Sequence, residues 1–224
     1  MDRIISLLLS AVAVILGIVV HESAHALAAY LLGDSTARSR GRFSLNPLNH
    51  IDPFGTVVLP LLLMLAGGPV FAYAKPVPVY LGNLKNPKRD EVLVALAGPV
   101  SNILLAAVAA ALYGMLRPAL LAGALSFQLA SLLASFFITA LLTNLSLAFF
   151  NLIPLPPLDG STIIVPFLKG DALRIYRRIQ AYAMPILIVV LYLLPSFTGI
   201  DLIGIYFDIT VYPLANWMLS FVLG

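Results

Sequence analysis

This chain reads as a single all-helical domain, 1–224, that crosses a membrane several times, and three observations carry that reading. Of its 224 residues, 61% are hydrophobic and only 10% charged, against about a quarter charged in a soluble domain; mean hydropathy is +1.00. The apolar residues fall into runs long enough to span a bilayer. The charges fall between those runs, since all but Arg3 and Arg117 of the 13 basic residues lie in three clusters. Such a composition excludes a soluble enzyme, a disordered regulator and a nucleic-acid partner. Cysteine is absent, so a metal could be held only by His, Asp or Glu.

The first apolar segment, 4–32, opens with an almost unbroken run through Val20. Ala24-His25-Ala26 resembles a signal-peptidase site, but Asp2 cancels Arg3 and the run exceeds a usual signal core, so it reads as a retained helix. Arg38, Arg40 and Arg42 follow. In 46–53, His50 and Asp52 could be spare metal ligands or groups behind the ligands; an interfacial turn of Asn, Pro and Asp is the preferred reading. Segment 54–73 is apolar but broken by Pro60, Gly67, Gly68 and Pro69, and Pro76-Val77-Pro78-Val79 reads as extended chain. Beyond Lys75, Lys85, Lys88 and Arg89 come apolar segments 92–116 and 126–152, then a patch at 163–168 too short to span. The cluster Lys169, Arg174, Arg177 and Arg178, suited to anionic headgroups, precedes segments 179–194 and 202–223. The expected architecture is about five to six transmembrane helices with a broken or re-entrant segment at roughly 54–79.

Chemistry enters at His21-Glu22-Ser23-Ala24-His25. On a helix, positions i and i+4 share a face, so both imidazoles can reach one zinc ion, with Glu22 beside them as a general base. Glu22 is one of two glutamates in the chain, and ionisable groups within membrane segments are functional by default. A catalytic zinc usually has three protein ligands and one open position. Asp159 is the outstanding third candidate, in Asn151-Leu152-Ile153-Pro154-Leu155-Pro156-Pro157-Leu158-Asp159-Gly160. Read alone, that stretch equally fits a Pro/Gly turn carrying a solvated aspartate.

HESAH followed much later by NLIPLPPLDG resembles the site-2 protease family of intramembrane zinc metalloproteases, over roughly 4–160. The resemblance implies one Zn2+ per chain held by His21, His25 and Asp159, with Glu22 as the base. It also implies cleavage of peptide bonds within or next to transmembrane segments of substrate proteins. Ala97-Gly98-Pro99-Val100-Ser101-Asn102 resembles the family's glycine/proline-plus-asparagine motif. Asn102 could then bond a substrate strand or steady the reacting water, or simply pack helices; Asn151 has a similar implied role at substrate. No PDZ or nucleotide-sensing module is apparent, and no transmembrane helix precedes the core. A metal transporter and a non-cleaving binder of transmembrane segments are the alternatives. Oligomeric state is left open.

Parity fixes the expected topology. His21 and Asp159 must reach one depth, which three full crossings between them would prevent. A re-entrant 54–73 leaves two, and also puts the 38–42 and 75–89 clusters on one side. The expectation is an external N-terminus, five full crossings and an internal C-terminus, in the cell membrane, with the site toward the cytoplasm.

Overall fold

In the computed structural model, which describes residues 2–65 and 73–223, every regular element is helical. The long helices are α1 (Asp2–Leu31), α4 (Pro87–Leu121), α5 (Phe127–Leu152) and α9 (Leu202–Leu223), and each contains a stretch long and apolar enough to cross a bilayer. Shorter pieces lie between them: α2 (Thr36–Ser39), α3 (Leu59–Leu65), α6 (Gly170–Gln180), α7 (Ala183–Ile188) and α8 (Leu194–Thr198). Helix α6 meets the α7–α8 rod, joined by the wider turns of Val189–Leu193, at 73°. Counting that bent pair as one span brings the crossings among the described residues from four to five.

Packing follows the logic of lipid rather than water. Large side chains of α1 such as Leu7, Leu8, Val12, Ile15 and Leu16 face outward, while Ala13, Ala26 and Ala29 are buried. Where lipid tails are as apolar as leucine, small residues let helices approach closely and gain contact. The main core follows the same rule, with Ala106, Ala109 and Ala110 of α4 against Leu141 and Leu145 of α5 and Val211, Ala215 and Met218 of α9. Helix α4 starts earlier than its apolar run, at Pro87, because Asp90 caps the turn by accepting the Asn86 N–H at 2.8 Å.

The broken segment leaves and returns at one place. Asp52 caps its start by accepting the N–H groups of Phe54 and Gly55 at 3.0 and 2.7 Å. Its far end comes back alongside: the Tyr73 N–H donates to the Gly55 carbonyl at 3.1 Å, and the Lys75 N–H to the His50 carbonyl at 3.0 Å. Helix α3 and the turns before it, Pro53–Val58, make 13 helical residues up to the edge of the described stretch, about 20 Å of helix. These contacts bring the two ends of the segment together; the Gly67-Gly68-Pro69 break expected as its turn lies outside the described residues. His50 is buried and donates from Nε2 to the Ser44 carbonyl at 2.6 Å. His50 and Asp52 therefore build the loop, in line with the turn reading.

The three basic clusters gather at one end of the bundle. Arg42 donates to the carbonyls of Lys75 and Pro76, Lys88 reaches the Leu168 carbonyl, and Arg177 forks onto the Glu91 carboxylate at 3.2 Å.

Candidate metal centre

One polar centre lies inside the packed trio α1, α4 and α5. His21 and His25 stand one turn apart on α1, their rings 4.6 Å centre to centre and nearly perpendicular. Helix α1 runs ten residues past His21 to Leu31, which sets the motif about 15 Å inside the helix end. Asp159 arrives from the far side of the sequence. After α5 ends at Leu152, the chain folds back on that helix end, so closely that a Cβ at Gly160 would lie 2.2 Å from the Leu152 carbonyl oxygen. Only glycine allows that approach, and it brings the Asp159 Oδ2 to 3.1 Å from His21 Nε2 and 3.4 Å from His25 Nε2.

The outer nitrogens of both rings are taken. His21 Nδ1 donates to Asn102 Oδ1 at 2.6 Å, and His25 Nδ1 donates to the Val94 carbonyl at 2.7 Å. The Asn102 amide is itself oriented, because its Nδ2 donates to the Gly17 carbonyl at 3.1 Å and to Asn144 Oδ1 at 2.9 Å. Asn144 in turn donates to the Ala140 carbonyl at 2.8 Å. With both protons of the Asn102 amide committed, its oxygen must accept from His21. Each imidazole is thus held with its Nδ1 protonated and its Nε2 turned inward as the nitrogen that can ligate.

Three potential ligand atoms, the two Nε2 nitrogens and Asp159 Oδ2, therefore converge, all within 4.8 Å of one another. The buried Asp159 Oδ2 has no hydrogen-bond donor. Such a knot of acceptors is unfavourable unless something positive sits among them. The residues fit a divalent metal ion held by two imidazoles and a carboxylate, the donor set of a catalytic zinc site with a vacant fourth position.

Helix α4 makes room for this centre. A Cβ at Gly98 would stand 2.5 Å from both His21 Nε2 and His25 Nε2, so glycine lets the α4 backbone run directly over the lone pairs. The centre opens into a cavity of about 600 Å³ lined by Glu22 and Asn151 together with Val77, Val79, Phe150 and Leu158. Glu22, next to His21 in the chain, is half-buried on that wall.

Of the residues singled out in sequence, the structure brings His21, Glu22, His25 and Asp159 to one cavity with Asn151 on its wall. Asn102 is fully buried behind His21, a position for holding the ring rather than for meeting substrate. Asn151 donates back to the Leu147 carbonyl at 2.9 Å. Neither Asn144 nor the Val94 carbonyl stands out in the sequence as a support, and Gly98 enters there only as part of the glycine/proline-plus-asparagine motif. The spacing from Gly98 to Asn102, one helical turn, was the available signal for a shared face.

Comparison with known proteins agrees with this geometry. The family model described as Peptidase family M50 matches residues 9–194. The chain belongs to peptidase family M50, the site-2 protease family that its motifs resemble. Among curated M50 relatives, one of Bacillus subtilis named "Putative zinc metalloprotease YwhC" is 38% identical over 82% of this chain and 80% of its own length. The "Putative zinc metalloprotease Rip2" of Mycolicibacterium smegmatis is 30% identical over 79% of this chain and 64% of its own, and its Mycobacterium tuberculosis counterpart is 30% identical over 80% and 64%. The chain thus spans less than two thirds of the mycobacterial proteins. No solved structure matches it.

Proposed function

We propose that this M50 peptidase is an intramembrane zinc metalloprotease that hydrolyses peptide bonds within or next to transmembrane segments of its substrates. The observation that supports this best is the convergence of His21 Nε2, His25 Nε2 and Asp159 Oδ2 beside Glu22, inside an apolar helical bundle. A zinc ion, one per chain, held by those three side chains would supply Lewis acidity toward the attacking water and the scissile carbonyl.

The chain's own residues do the rest. Glu22 takes a proton from water as the water oxygen bonds to the carbonyl carbon, and delivers it to the leaving amine as the C–N bond breaks. Asn102 and the Val94 carbonyl keep the two imidazoles in the ligating tautomer throughout. Asn151 on the cavity wall offers its side-chain amide to the substrate backbone.

Substrate must reach the site unwound, since helical carbonyls are tied up in i→i−4 bonds. Segment 76–79 offers a partner for an extended chain. Pro76 and Pro78 have no N–H, so the donors here belong to Val77 and Val79, which line the cavity and, in extended chain, face the same way. Strand addition along that edge would present the scissile bond to Glu22. The three basic clusters at one end of the bundle favour a cytoplasmic site in the cell membrane. A metal transporter is less well supported: Asn102 and Asn144 bond each other and nearby carbonyls, a closed knot rather than a path. A non-cleaving binder leaves Glu22 beside the ligands without a use.

The test is cleavage in liposomes of a single-span membrane protein, with the products located by mass spectrometry. Glu22-dependent cleavage within or beside the apolar span is expected. Cleavage only in distant soluble regions would overturn the reading.

A further inference from the structure

Arg42 differs from its neighbours. Arg38 and Arg40 are exposed, Arg38 lying over the Tyr30 ring at 4.6 Å, whereas Arg42 is 5% exposed. No carboxylate lies within ion-pair distance of it among the described residues. Its Nη2 donates to the Lys75 carbonyl and, at 3.3 Å, to the Pro76 carbonyl, while its Nε is buried without a partner. Burial works against the charge there, and the Glu22 carboxylate across the site supports it. A buried, unpaired guanidinium is an expensive way to join two loops, and its site of action is the segment that borders the cavity.

That segment, 73–80, is gripped at three points and bare between two of them. Tyr73 and Lys75 are tied to Gly55 and His50, and Arg42 takes the carbonyls at 75 and 76. At the far end, the Tyr80 N–H and Asn83 Nδ2 donate to the buried Asp34 carboxylate at 2.7 and 2.9 Å. Asp34 also caps α2 through Thr36, and the Arg42 N–H is bonded to the Ala37 carbonyl at 2.9 Å. The corner following the HExxH helix thus holds both ends of the strap. Between the grips, Val77 and Val79 line the cavity and make no backbone hydrogen bond among the described residues. That leaves the N–H groups of Val77 and Val79 for an incoming chain at the cavity wall.

We propose that Arg42 is a positioning residue for substrate, its buried Nη2 on the Lys75 and Pro76 carbonyls fixing 77–79 on the cavity wall beside the metal centre. The proposal rests on the protease reading above. Arginine suits the task because its guanidinium is weakly hydrated and holds its donors in a rigid plane, whereas the lysine ammonium is a strongly hydrated charge on a flexible stem.

The experiment uses the full chain in liposomes with a spin label on cysteine at Lys75, an exposed side chain in a protein otherwise free of cysteine. Arg42→Gln is expected to loosen the label and raise KM for a single-span substrate about tenfold, with kcat changed less than about threefold and zinc content unchanged. Arg42→Lys, which keeps charge and fold, is expected to give the same changes at about a third of the size, so the proposal stays testable if the glutamine variant does not fold. An immobile label with unchanged KM in either folded variant would overturn it, as would a fall in kcat or zinc at constant KM. The label spectra need no catalysis, so a protein that cuts nothing fails the protease reading while the strap is still decided.

Discussion

Gly98→Ala puts one methyl group on the α4 backbone above the metal centre. Its Cβ would stand 2.5 Å from each Nε2 and 2.6 Å from His21 Cε1, about 1 Å inside ordinary contact. The rings cannot tilt away freely, because their Nδ1 bonds at 2.6 and 2.7 Å anchor them from behind. With Nδ1 as its one anchor a ring can still pivot and relieve part of the clash; with Nε2 ligating as well, it cannot. The strain of overpacking, about 1–3 kcal/mol, therefore falls mainly on the metal-bound state. At 1.4 kcal/mol per decade, zinc should bind roughly five- to a hundredfold more weakly. Competition with a chromophoric chelator in detergent measures this, with far-UV circular dichroism reporting that the helices persist. A folded variant with zinc affinity within about twofold of the parent would refute the claim that Gly98 makes room for the ligands.

Asn102→Asp keeps an oxygen for His21 Nδ1, and Asn102→Leu removes it; the leucine variant should lose about ten- to a hundredfold in zinc affinity, and the aspartate variant less. Equal losses would mean that the contact matters only for packing. Single cysteines at Ser39, Lys85 and Arg174 should be labelled from one side of the membrane and one at Ala124 from the other, while opposite accessibility at Ser39 and Lys85 would make 54–73 a full crossing. Burial raises the Asp34 pKa, but hydrogen bonds from Thr36, Asn83 and Tyr80 outweigh it and hold the value below the ordinary one. The stability this charge lends, of order 2 kcal/mol, is therefore full above the usual carboxylate range and lost as pH falls through the lowered value. Thermal melts of the parent and Asp34→Asn should differ at neutral pH and converge in strong acid; a gap that widens on acidification has the wrong sign.

The candidate ligands were legible because their chemistry is local. HExxH places two rings on one helical face whatever surrounds them, whereas the prolines and glycine around Asp159 mark only a helix end, and its ligand role came from the family resemblance. Charge placement and parity also led to the expectation of a re-entrant 54–73, since both depend only on counting, and the meeting of its two ends agrees with it. The supports of the rings were not legible. That Asn144 orients Asn102, and that the Val94 carbonyl receives His25, depend on which faces of α4 and α5 meet, and in an almost uniformly apolar helix no periodicity reveals the face. Arg42 was hidden for the opposite reason: within a cluster of three arginines it reads as a topological charge, and only the tertiary fold separates the buried one from its exposed neighbours. The bend between α6 and α7 was likewise invisible, because the apolar run simply begins at 179 and does not show that the preceding basic helix lies at a steep angle to it.

The central claim is that one zinc ion, held by His21, His25 and Asp159, works with Glu22 to cut peptide bonds. Zinc content and cleavage of a single-span substrate, measured on the same preparations of the parent, Glu22→Gln and Asp159→Ala, test it most directly. The account expects one zinc per chain with cleavage in the parent, one zinc without cleavage in Glu22→Gln, and loss of both after mild chelation in Asp159→Ala. Cleavage that persists in Glu22→Gln, or full zinc retention in Asp159→Ala, would contradict it.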